Sequence, residues 1–349
     1  MQTIEIQALD TLFFRDGKPF SMGEDTWANS MFPPLPSVIY GALDTAFLMQ
    51  QKDLNLTQAR QFSLNSLLLR KDNDFIFPFP NDLVVYENKK DKKISTHKLL
   101  LVNKETVKGF VSNYTLDYLL QTPKADKVKD VANSYLSLPY FKAYLEGSLK
   151  SQEGKIYEEI ELIHEPKIGI GRDNETNITE EGKIYRVGMK RAIDIKLAIS
   201  TDSLKLVDNK SFLRLGAENK QASYEIDNYT NDFEKLKNIT IKSNQFKVYL
   251  STPAIFKDDY KPIAFHNCKL LACAIGKSIA VGGFDIDKKE PKPMYKAVPA
   301  GSVYYFEAAD KETAQKIANE VNNSGLGTAI SEVGDFAKQG FGIAYIGNI

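Results

Sequence analysis

The sequence predicts an α+β chain built as two tandem ferredoxin-like (RRM-like) domains, with a large insertion in the first. Three observations lead there. A strand pattern at residues 3–9 passes through a proline-stiffened run into a helix pattern near residue 38. From residue 246 onward the elements read β, α or β, β, β, α, β, which fits the split βαβ order. A length of 349 residues suits two domains with room for a real core. The boundaries drawn from this are 1–235 for the first domain, with the insertion at about 51–165, and 236–349 for the second, which carries a Gly-rich loop.

Along the first domain, Ile4, Ile6 and Ala8 alternate with Thr3, Glu5 and Gln7, the signature of a strand with one buried face. LFFRDGKPF (12–20) turns at Asp16-Gly17. Phe32-Pro33-Pro34-Leu35-Pro36 is stiff and extended, because each proline steers its predecessor away from helix. Ser37 then offers an N-cap for a helix running to about Gln50, with Val38, Ile39, Ala42, Leu43, Ala46 and Phe47 on a wide apolar face. Residues 51–165 carry two solvated charge clusters, NKKDKK (88–93) and PKADKVKD (123–130), and read as a thumb-like lobe inserted between the first helix and the second strand. Residues 167–200 are strand-like around a polar segment at 172–183, and 212–226 is a strand pair broken at Gly216.

In the second domain, residues 268–275 are a short apolar stretch, strand or helix end. Residues 278–286 and 302–308 read as strands. Residues 310–323 form the clearest helix: Asp310 caps it, Ala314, Ile317, Ala318 and Val321 follow helical spacing, and Gly325 lies just past its end. GFGIAYI (340–346) is the closing strand.

Composition excludes several function classes. Forty-five basic residues balance forty-five acidic ones, so any nucleic-acid contact must come from local patches. Only seven of the basic residues are arginine, the side chain whose planar fork suits phosphate, so their positions carry information. Cys268 and Cys273 are the only cysteines, too few for a disulfide framework, and a reducing cytoplasm fits. The N-terminus lacks the charged and apolar regions of a signal peptide, and no apolar run approaches the ~20 residues of a membrane span.

Catalytic signals are weak. His97, His164 and His266 sit in no metal or nucleophile pattern. His266, Cys268 and Cys273 supply three soft ligands where a structural zinc needs four, so no metal or cofactor is expected. Asp16 and Asp173 each follow an arginine, which keeps a carboxylate ionised and makes it a poor base. Phosphate contact is better supported. Glycines stand beside basic residues at 17–18, 169–172 and 277–283, and bare backbone lets a phosphate approach main-chain N–H groups. Gly340 and Gly342 bracket Phe341 in a partial match to the RNA-recognition consensus, with Gln339, Ile343 and Ile346 off pattern; a Gly-rich entry to a strand explains the same residues.

Taken in order, 12–20, 32–46, 169–186, 215–220, 282–306 and 340–347 resemble the RAMP superfamily, in the group of third subunits of the type III-B CRISPR effector, the Cmr complex. The segments LFFRDGKPF, PPLPSVIYGAL and GGFDI…KAVPAGSVYYFE are the specific ones; GFGIAYIG is generic to RAMP proteins. At 215–220 the chain reads LGAENK, so Ala217 and Asn219 bring side chains where relatives carry bare backbone. The resemblance implies two ferredoxin-like (RAMP) domains, no catalytic role, and a grip on the 5′ tag (handle) of the guide crRNA. It implies docking to the large polymerase-like subunit and the first backbone RAMP subunit, target RNA being met only indirectly, and no membrane. The residues expected on RNA are Arg15, Lys18, Arg172, Arg186 and Lys220, then Lys277, Lys292 and Lys296, with Ser37 at a helix N-terminus and Gly340 and Gly342 as bare backbone. Phe13, Phe14 and Trp27 are the expected protein anchors, Trp27 being equally readable as core or as a stack for a splayed base. Two rivals stay open: a metal-independent endoribonuclease trimming guide precursors, which the absence of His from the first 96 residues disfavours, and a pure assembly subunit.

Overall fold

Ile4 and Ile6 leave one face of the first strand, Gln2–Ala8, and Thr3 and Glu5 the other. In the computed structural model this strand lies inside an eight-stranded antiparallel sheet. In spatial order the sheet reads Tyr157–Glu159, Ser134–Ser137, Asp74–Pro78, Ser63–Lys71, Ile195–Asp202, Gln2–Ala8, Gln221–Asp227, Lys210–Arg214. The structure describes every residue except 1, 16–26, 52–60, 89, 108, 110–114, 150, 174, 177 and 286–288.

Both faces of this sheet are covered, and the period of two sorts side chains between two cores. Ile4, Ile6, Leu67, Leu69, Leu197 and Ile199 meet Ile39, Leu43 and Ala46 of the first helix, Pro36–Gln50. Leu68, Phe75, Phe77 and Ala198 face the other way, into a larger core shared with the second half of the chain. Glu5 is buried on that second face. It is tolerable there because Arg70 binds it directly and Lys196 Nζ lies 2.8 Å away, while Asp227 holds Arg70 from the other side at 3.2 Å.

The second half builds a five-stranded antiparallel sheet in the order Lys269–Ala274, Val303–Glu307, Gln245–Leu250, Ile343–Asn348, Thr328–Ala329. The stretch at 268–275 is thus a strand, paired with Val303–Glu307, and only a 3₁₀ turn at Ile263–Phe265 precedes it. The helix expected at 310–323 is Lys311–Val321, capped by the Asp310 carboxylate, which accepts the Thr313 N–H at 2.7 Å. Two buried asparagines finish the sheet. Asn322 Nδ2 donates to the Ile346 carbonyl at 2.9 Å and Asn322 Oδ1 accepts the Ile346 N–H at 3.0 Å. Asn348 likewise donates to the Thr240 carbonyl and accepts the Lys242 N–H.

Two expectations need correcting. Residues 51–165 do not stand apart as one lobe between the first helix and the second strand. Ser63–Lys71 pairs with Ile195–Asp202, and three further strands of this stretch extend the same sheet, because Leu64 and 67–69 supply apolar side chains to both cores. Other strands of the stretch form a smaller sheet of Gln152–Glu153, Ile94–Lys98, Leu83–Glu87 and Val128–Lys129, and a separate pair of Leu100–Asn103 with Tyr118–Gln121. Helix Leu138–Leu145 drives Phe141, Tyr144 and Leu145 into the larger core. Ser37 is not an N-cap either. Leu35 holds that position without a side-chain bond, and Pro36 takes the first turn, where its fixed φ suits the helix and its missing N–H costs nothing.

Candidate nucleic-acid interface

Residues 162–192 form a long antiparallel hairpin, Leu162–Arg172 with Thr179–Ala192, and Trp27–Ala28 adds a third strand parallel to the second. The hairpin tip is organised by Asp173. Its carboxylate accepts N–H bonds from Thr176 at 2.7 Å and Glu175 at 3.0 Å, which hold it below the usual carboxylate range. The two faces of this three-stranded sheet differ sharply. Inward, Val187 and Met189 bury against Phe13 and Ala28. Outward, register places Ile170 opposite Ile184, and Ile168 opposite Arg186, which in turn neighbours Trp27. Ile168 is 63% exposed, Ile184 55%, Ile170 48% and Trp27 45%. An exposed apolar row of this kind, on a projecting ribbon, marks an interaction surface.

Six of the seven arginines are described, and they fall in three places, Arg214 being exposed on the edge strand Lys210–Arg214 of the large sheet. Arg70 and Arg191 are consumed internally, Arg191 Nε lying 2.7 Å from Glu165 and a guanidinium nitrogen 3.5 Å from Asp10. Arg191 holds the Glu165 carboxyl below its ordinary value, chiefly through that hydrogen bond. Arg172 and Arg186 are exposed on the hairpin, and Arg15 is exposed on the segment bridged to Ser30, two residues past Ala28. The structure therefore gathers Arg15, Arg172, Arg186 and Trp27 on one small sheet. Guanidinium groups beside an indole and a row of isoleucines can pair with phosphates while apolar side chains contact splayed bases.

Several expected residues serve the fold instead. Lys220 is bonded to Asp10, and Lys167 to Glu218 at 2.7 Å, so the 215–220 turn is charge-neutralised at the hairpin base. Gly216, at φ +77°, is there because a side chain would strike the Phe13 carbonyl. Phe13 and Phe14 are buried beneath the hairpin and in the first core, 6% and 3% exposed, and are not surface anchors. Gly340 and Gly342 offer no free backbone. Both are buried at positive φ, their N–H groups donate to Ala337 and Pro253 carbonyls at 2.9 and 2.7 Å, and Leu64 and Ser331 pack over them. Gly169 faces the ring of Tyr185 across the hairpin, which fills the space a side chain would take, and Gly171 is covered by Lys183. Lys18 lies outside the described residues. Lys277, Lys292 and Lys296 are exposed on a separate ribbon, Ile279–Val281 with Tyr295–Ala297 and its extension, which no strand pairing joins to the hairpin among the described residues. The isoleucine row was missed in the sequence; its signal is the alternation Ile168-Gly169-Ile170-Gly171-Arg172.

The chain is thus a strand-rich α+β protein with an eight-stranded and a five-stranded antiparallel sheet. The profile of the family described as CRISPR-associated protein (Cas_Cmr3) matches residues 4–349. The chain belongs to that family, the Cmr3 subunits of type III-B CRISPR effector complexes. It is 21% identical over 336 residues to the CRISPR system CMR subunit Cmr3 of Saccharolobus solfataricus, covering 93% of this chain and 90% of the relative. Among solved structures it is similar in fold to a chain of the Type III-B Cmr-beta complex bound to cognate target RNA and AMPPnP. The TM-score is 0.51, with 16% identity over 92% of this chain and 90% of that one. The same complex with cognate target RNA alone gives a TM-score of 0.50 at 16% identity, with the same coverage. Among the described residues no helix is long and apolar enough to cross a membrane.

Proposed function

We propose that this subunit grips the 5′ tag of the guide RNA without cleaving it, on the outward face of the hairpin sheet. The observation that supports this most is the convergence there of exposed Arg172, Arg186 and Trp27 with Ile168, Ile170 and Ile184. In this reading the guanidinium groups meet tag phosphates and the apolar row wedges or stacks bases. The two sheets are ferredoxin-like units, and the subunit docks the large polymerase-like subunit and the first backbone subunit. Membership of the Cmr3 family and similarity to chains of RNA-bound Cmr complexes support the assembly role.

The test is a salt titration of tag-RNA binding by the assembled complex. Arg172→Ala with Arg186→Ala should flatten the slope of log K against log salt by about two units. An unchanged slope removes the hairpin from the interface. The same mixtures, incubated without metal and resolved on a denaturing gel, should show intact RNA; specific products abolished by a point substitution would instead establish the nuclease. A pull-down with the large subunit after RNase treatment separates protein docking from RNA tethering.

A further inference from the structure

The larger core holds a lysine with no hydrogen-bond acceptor among the described residues. Lys247 sits mid-strand in Gln245–Leu250, between Tyr305 on one neighbouring strand and Gly347 on the other, and only 1% of it is exposed. Its Nζ lies 3.1 Å from the centroid of the Tyr144 ring. The nearby carboxylate, Asp82, is fully buried and already satisfied: Tyr144 Oη donates to one oxygen and Tyr305 Oη to the other, each at 2.7 Å. Lys247 makes no hydrogen bond or ion pair among the described residues. An ammonium has three donors and no acceptor, so its open side calls for an acceptor.

That side is a pocket of about 290 Å³ whose walls include His97, Lys98, Tyr144, Gly147, Ser151 and Lys247. Lys98 also forms no ion pair among the described residues. Burial chiefly disfavours the charged form of both; the Asp82 charge favours it in each without a direct contact, and Lys98 opposes it in Lys247. Burial and then Lys124 lower the pKa of His97 below its ordinary value, and its Nε2 lies 3.1 Å from Ser95 Oγ and 3.5 Å from Ser151 Oγ. Two lysines without a hydrogen-bonded acceptor and a hydroxyl line the cavity, while the one carboxylate has both oxygens bonded to phenols. A hydrophobic side chain in place of Lys247 would fill this core at less cost, so the lysine needs a reason to be there.

We propose that this pocket, walled by Lys98, Lys247 and Ser151, is a binding site for a small phosphate, free or as the end of a small phosphomonoester. The ligand supplies the acceptors that both ammonium groups lack, and Ser151 Oγ donates to a third oxygen. The site lies in the core joining the two halves of the chain, away from the hairpin, and stands independently of the RNA reading.

The test is isothermal titration of the full chain with inorganic phosphate and, separately, with glycerol phosphate at pH 6.5. One-to-one binding is expected, weakened at least ten-fold by Lys98→Met and by Lys247→Met with unchanged circular dichroism. Tighter binding of glycerol phosphate identifies an esterified ligand, and tighter inorganic phosphate a free one. Sulfate, whose charge is constant from pH 6 to 9, provides the pH series. Burial pushes Lys247 down to about 7, so sulfate affinity should fall as pH rises through that value and stay level in Lys247→Met. Absence of saturable binding, or binding retained in Lys98→Met, overturns the proposal; Lys98→Met decides alone should Lys247→Met fail to fold.

Discussion

The long hairpin of residues 162–192 and the short ribbon of residues 279–297 are both two-stranded antiparallel pairs edged with basic residues, and they are built to opposite ends. The ribbon buries Val281 and Ala297 over Phe341 and Ile255, all nearly or fully buried, and leaves its lysines and a single large apolar side chain among its described residues, Met294, on the outside. The hairpin spends Val187 and Met189 on anchoring and still leaves Ile163, Ile168, Ile170, Ile178 and Ile184 in water, with Trp27 beside them on the third strand. Its outward cations are arginines, those of the ribbon lysines. Hydrated lysines on a ribbon whose strand side chains are largely anchored are what solubility alone requires. Exposed isoleucines beside guanidinium groups are not, and the difference points to the hairpin as the working surface.

Substitutions can break this contrast. Phe341→Ala should cost about 3–5 kcal/mol in urea unfolding, because the ribbon loses its anchor and a buried cavity opens. A loss under about 1 kcal/mol would mean that the ribbon is not pinned as described. Gly342→Ala should cost about 1–3 kcal/mol, since φ is +77° and the new methyl would sit 2.8 Å from the Ser331 nitrogen. On the hairpin the balance inverts. Trp27→Ala should leave unfolding within about 0.5 kcal/mol of the parent yet weaken tag-RNA binding by about 1–3 kcal/mol if the indole stacks on a base. Equal and small effects on both measurements would mark the tryptophan as idle. The smallest change belongs to the ribbon: Lys292→Ala with Lys296→Ala should flatten the salt slope by less than about half a unit, against about two for the hairpin arginine pair. Similar slopes for the two pairs would erase the distinction.

Much of the architecture was readable because it rests on local rules. The alternation at residues 3–9, the proline-led helix to Gln50 and the Asp310-capped helix each declare themselves within a dozen residues. What failed was non-local. Nothing within 63–71 says that this strand lies beside 195–202, more than a hundred residues on, so the stretch read as part of an insertion. The site was legible through scarcity: few arginines made Arg15, Arg172 and Arg186 stand out, and all three fall on or beside the hairpin sheet. Glycine misled for the converse reason. It marks close approach of something to backbone, and at Gly169, Gly216, Gly340 and Gly342 that something is the protein's own Tyr185, Phe13, Leu64 and Ser331. Lys247 was indistinguishable in sequence from the other thirty-seven lysines, since burial of a lysine is a property of the assembled core.

The two asparagines at the rim of the second sheet carry a consequence for assembly. Thr328–Ala329 covers only residues 343 and 344 of the final strand, so the backbone of Ile346 would otherwise stand open. The amide of Asn322 plugs that gap as a one-residue counterfeit strand, and Asn348 seals the corner beyond it. A neighbour hoping to lengthen the sheet by adding a strand there finds the berth taken. Strand addition along this flank is thereby blocked by two carboxamides.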